Sequence, residues 1–111
     1  MAGTIVLANG DWEVSGGGFR SMAEGVCRFL GDYEPEKQVK SELALAVDSA
    51  LYFVDMTEGF SGEMLHSFAK AFALHLAEVQ ATERDNWPNP ELYDGHLSRL
   101  VELQKLLEPI S

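Results

Sequence analysis

The spacing of apolar residues changes at Phe19, and that change divides the chain. Upstream, "TIVLANGDWEV" over residues 4–14 sets two short β-prone runs around Asn9-Gly10. Asn-Gly signals a two-residue type I′ turn, because both central positions need positive φ. The pattern predicts a small hairpin over 4–14. A two-stranded hairpin is marginal alone, so it should lie against helices.

From Phe19 the spacing is helical. Phe19, Met22, Val26, Phe29, Leu30 and Tyr33 recur at intervals of three and four, which predicts a first helix over 18–31. Ser21-x-x-Glu24 can form a capping box, and Gly31 suits a left-handed stop. Gly25 inside this helix costs about 1 kcal/mol relative to Ala and implies the close approach of a neighbouring backbone. Pro35 opens a second helix over 35–56, with Glu34 and Glu36 at its positive end. Its apolar stripe is Val39, Leu43, Ala46, Val47, Ala50, Leu51 and Val54. Within it, 51–56 could instead be a strand, since periodicity does not settle short apolar runs.

Gly59-Phe60-Ser61-Gly62 breaks the chain, and Ser61 can cap a third helix over 62–82. "ERDNWPNP" is a polar, proline-bearing loop. Asn89 and Pro90 then start a fourth helix over 90–108. The sum is a mainly α fold: a small four-helix bundle-like single domain, 1–111, preceded by a short N-terminal β-hairpin.

Charge narrows the function classes. Lys and Arg number 8 against 18 Asp and Glu, a formal net charge of −10. Phosphates and anionic lipid would be repelled, so direct nucleic-acid binding and membrane docking are not expected, whereas a basic protein partner is. One cysteine, Cys27, cannot form an internal disulfide and fits a reducing cytoplasm. The N-terminal segment has no basic run before an apolar one, so no signal peptide is expected. The longest apolar stretch is interrupted by Asp48, Ser49 and Asp55, so no membrane span is expected either.

Candidate chemistry is sparse. Gly16-Gly17-Gly18 lies between a strand and a helix, the layout of a phosphate-binding loop. The residues that follow are Phe19, Arg20 and Ser21, and the first lysine is Lys37. Neither a Walker loop nor a dinucleotide fingerprint is complete. A flexible hairpin-to-helix joint is the favoured reading, with a single anion held by Arg20 and helix-start amides as the other. Glu63-x-x-His66 occurs once, where a di-iron bundle needs it twice, so no metal or cofactor is expected. Asp48 and His75 both fall within apolar helices and could pair, structurally or as an acid–base couple.

Three aromatics stand among acids and form candidate partner-binding patches. They are Asp11-Trp12-Glu13; Asp32, Tyr33, Glu34 and Glu36; and Asp85, Trp87, Tyr93 and Asp94. Aromatic anchors supply buried area while charge speeds association. The expected function is non-enzymatic: a small acidic cytoplasmic binding protein that neutralises a basic partner. Size and charge suit an immunity protein or antitoxin acting on a nuclease-type toxin. The alternatives are a homo-oligomeric accessory subunit, a homodimer included, and a helical-bundle enzyme or ligand binder using Asp48 and His75.

Overall fold

The computed structural model describes residues 2–110. Its elements run β1 (Ala2–Leu7), β2 (Gly10–Ser15), α1 (Gly16–Cys27), α2 (Glu36–Asp48), β3 (Phe53–Asp55), α3 (Gly62–Ala81), a 3₁₀ turn (Arg84–Asn86) and α4 (Pro90–Leu107). The expectation of a helical bundle with an appended hairpin is corrected here. The strands form one mixed three-stranded sheet in the order β2-β1-β3, with β1 antiparallel to β2 and parallel to β3.

The correction has a local cause. The second helix stops at Asp48 rather than 56, because Ala50 and Tyr52 take φ values of 59° and 49°. A right-handed helix does not run through such residues. The chain folds back, so that the Tyr52 amide donates to the Ala46 carbonyl at 3.1 Å. Thr4 N then donates to the Tyr52 carbonyl and Met56 N to the Val6 carbonyl, which extends the β1–β3 pairing at both ends.

The hairpin also differs from expectation. Leu7 pairs with Gly10, so the loop residues are Ala8 and Asn9, neither with positive φ. Gly10 instead takes φ 149°, which glycine tolerates. α1 begins at Gly16, capped by Ser15, whose hydroxyl accepts the Gly18 amide at 3.0 Å. The glycines expected to be a joint are therefore the first turn of the helix, and the Ser21–Glu24 capping box does not form its start. α1 ends at Cys27 instead of 31. Ser61 caps α3 by accepting the Met64 amide at 3.1 Å, whereas Asn89 makes no side-chain cap bond to α4.

Strand alternation separates two faces of the sheet. Ile5 lies between Trp12 on β2 and Val54 on β3, and all three are buried in one core with Phe19, Phe68, Phe72 and Leu103. Helices cover that face only, the usual arrangement for a sheet with one wet side. Gly3 admits the helix closely: a Cβ there would stand 2.6 Å from the Cβ of Phe19. No described helix is long and apolar enough to cross a membrane.

Candidate functional site

The candidate patches fare differently. Trp12 is 2% exposed, and its indole N–H donates to the Arg99 carbonyl of α4 at 2.7 Å. Tyr93 is also buried; its hydroxyl donates to the Val79 carbonyl at 2.9 Å, with the Thr82 carbonyl at 3.1 Å. Neither ring is a surface anchor. Trp87 is half-buried, with its ring centroid 5.6 Å from that of Tyr93 and 5.4 Å from that of His96. Asp85 and Asp94 are exposed, and Asp94 faces Arg84 at 3.6 Å. These residues therefore form a packed corner with a charged rim.

The turn before α2 keeps its aromatic in solvent. Tyr33 is 85% exposed between exposed Asp32 and Glu34. Its acids are partly engaged, however. Lys40 Nζ lies 2.9 Å from Asp32, and that hydrogen bond holds the Asp32 carboxyl below its ordinary value. Glu36 accepts the Gly31 amide at 3.2 Å, tying the turn to the start of the helix.

The third group, Asp11 and Glu13, belongs to a surface that the sequence did not reveal. On the wet face of the sheet, Thr4 stands between Glu13 and Phe53, and Val6 stands between Asp11 and Asp55. Phe53 is 53% exposed. The Asp55 carboxylate accepts the Thr57 amide at 2.9 Å, and its hydrogen bonds to Thr57 hold it ionised to lower pH than usual. None of the three strands carries a lysine or arginine. Arg99 and Lys105 of α4 border this face beside Asp11 and Glu13, and Arg99 pairs with Glu102 at 3.1 Å. Leu51, just before β3, is 71% exposed, and Leu45 and Asp48 of α2 are exposed too. Between Lys40 and Lys70 the chain holds five carboxylates and no lysine or arginine. The alternation of Asp11 and Glu13 with buried neighbours was readable on β2. The arrival of Phe53 and Asp55 was not, because it depends on the parallel pairing.

Asp48 and His75 do not come together. Asp48 is exposed at the end of α2, while His75 is 3% exposed in α3. Its ionic neighbour is Glu78, with Nδ1–Oε1 at 3.8 Å, and Glu78 is itself paired with Arg28. A second imidazole, His96, lies against Trp87. Burial pushes His75 below the ordinary histidine value, with Glu78 opposing and Arg28 and His96 reinforcing. Burial does the same to His96. Burial pushes the Cys27 thiol up, away from the thiolate form that a nucleophile needs. Glu63 and His66 are exposed, and no three His, Cys, Asp or Glu side chains gather as a metal site among the described residues.

The two depressed histidines set a pH dependence. In the unfolded chain they take up protons below about 6.5, whereas the folded state resists protonation until lower pH. Stability is therefore fully present above about 6.5 and is lost as pH falls below it, by up to about 1.4 kcal/mol per pH unit for each histidine. Melting temperatures between neutral and mildly acidic pH should fall accordingly, and His75→Gln or His96→Gln should flatten the curve. A wild-type profile level across that window would disprove this. Comparison of the chain with protein-family models, with curated proteins and with solved structures returns no match.

Proposed function

We propose that this chain is a binding protein that docks a basic protein partner on the wet face of its sheet. It would act in the cytoplasm in the manner of an immunity protein or antitoxin covering a cationic surface. The observation that carries this reading is the pair of cross-sheet rows, Glu13–Thr4–Phe53 and Asp11–Val6–Asp55. They set three carboxylates and a half-exposed aromatic on one face of the sheet. A central apolar anchor with a charged rim is how fast, selective protein association is built.

The homodimer reading is less favoured on this face, because two copies would set Asp11, Glu13 and Asp55 against like charges. A cleft enzyme finds no convergent polar groups on an open sheet.

The test is covalent capture in native cytoplasm through a photoreactive side chain at position 53. A basic protein should be trapped, and its association rate should fall steeply with salt. Asp11→Lys with Glu13→Lys should then slow association by about tenfold or more. Circular dichroism should not change, since both side chains are exposed. Trapping only a second copy, or loss of binding from charge reversal at Asp32, Glu34 and Glu36 but not at Asp11 and Glu13, would refute the sheet face.

A further inference from the structure

The sheet has two outer strands, and their surroundings differ. β2 has α4 beside it: the Trp12 indole N–H donates to the Arg99 carbonyl at 2.7 Å, and the Asn9 side-chain amide donates to the Leu106 carbonyl at 3.0 Å. Those two carbonyls lie about two turns apart, so the helix runs along the strand. On the other side of β1, no further strand among the described residues pairs with β3.

The parallel register fixes which backbone groups β3 leaves unused. The Tyr52 carbonyl accepts the Thr4 N–H at 2.8 Å, and the Met56 N–H donates to the Val6 carbonyl at 2.9 Å. With Thr4 opposite Phe53 and Val6 opposite Asp55, those bonds turn the N–H and C=O of Val54 toward β1. The N–H and C=O of Phe53 and of Asp55 therefore point to the outer edge. None of the four has a hydrogen-bond partner among the described residues. Such a row is a template for another strand.

Side chains say which strand fits. Phe53 is 53% exposed, and Leu51, at the entry to β3, is 71% exposed. Leu51 stands between Ala50 and Tyr52, whose φ values of 59° and 49° are strained, and such strain gathers at binding sites. Edge strands are ordinarily guarded by lysine or proline. Residues 41–69 hold no lysine, arginine or proline, but five carboxylates: Glu42, Asp48, Asp55, Glu58 and Glu63. Asp55 is on the edge strand itself. Acids there repel a second copy of the same edge and attract a cationic strand. We propose that the outer edge of β3 receives an extended segment of the basic partner, lysine or arginine alternating with apolar residues, as a fourth strand. This rests on the reading of a basic protein partner and names how the sheet holds it.

The full chain, titrated with the capped peptide Lys-Val-Lys-Thr-Lys-Val and followed by NMR amide exchange, tests this. At saturation the Phe53 and Asp55 amides should exchange at least about tenfold more slowly. The dissociation constant should be about 1 mM or tighter, and the same peptide with glutamate for lysine should protect neither amide. Asp55→Asn and Asp55→Pro separate backbone from charge, since both lose the carboxylate but only proline removes the outward N–H. Protection of Phe53 should survive, weakened, in the asparagine variant and vanish in the proline variant. Circular dichroism of both should match the parent, because that N–H serves no bond in the fold. A peptide that shifts Thr4, Val6, Asp11 and Glu13 without protecting Phe53 and Asp55 lies on the sheet face, which overturns the edge and leaves the face reading standing. Protection produced by raising the protein concentration alone assigns the edge to a second copy, and no protection at all leaves it unused; either result overturns the proposal.

Discussion

Replacing Trp12 with alanine is expected to cost about 3–5 kcal/mol, the usual loss for a large buried aromatic. That is a large share of the ~5–15 kcal/mol by which a domain is stable. The indole lies in the row Trp12–Ile5–Val54 beneath the helices, and its N–H reaches the Arg99 carbonyl of α4 at 2.7 Å. Its removal opens a cavity and loosens the fourth helix from the sheet together. Denaturant midpoints for Trp12→Ala and Trp12→Phe separate the two losses. The phenylalanine variant retains much of the ring volume and should lose less, chiefly the hydrogen bond, worth about 1 kcal/mol, and the part of the ring it cannot replace. An alanine variant as stable as the parent chain would show that this tryptophan is not core.

Gly25→Ala is expected to destabilise by about 2 kcal/mol, although alanine is the better helix former. A Cβ at this position would stand 2.1 Å from Cε1 and 2.2 Å from Nδ1 of His75, so either the ring or the helix must move. Overpacking of that severity belongs at the top of the ~1–3 kcal/mol range, and the propensity of alanine returns only about 1 kcal/mol. Gly17→Ala, in the same helix with open space around it, should instead stabilise slightly. The double variant Gly25→Ala/His75→Ala should be more stable than the two single losses predict, giving a coupling energy in a mutant cycle. Additive losses would mean that His75 does not rest on Gly25.

These two positions also show how far reading along the chain reaches. Trp12 stands between Asp11 and Glu13, and in sequence that triplet reads as an acidic patch with an aromatic anchor. Strand geometry splits it, sending the ring to the core and the acids to solvent. Gly25 was legible as a site of close approach. The neighbour proved to be a histidine side chain, and nothing within ten residues of Gly25 names it.

What the sequence determined by itself is whatever rests on neighbours along the chain. The helical stripe that begins at Phe19, the Ser61 cap and the strong acidic bias all follow from spacing or count. Each is a short-range or additive property. Tertiary structure alone decided the rest. Ala50 and Tyr52 turn the chain at positive φ, and Val54 then pairs with Ile5, nearly half the chain away in sequence. That one parallel pairing changes a hairpin into a sheet and brings Phe53 and Asp55 onto the same face as Asp11 and Glu13. The contact at Gly25 arises in the same way, since α1 supplies the glycine and α3 the histidine. Such pairings are chosen by the burial of whole faces against one another, and no local pattern encodes which distant face will be met.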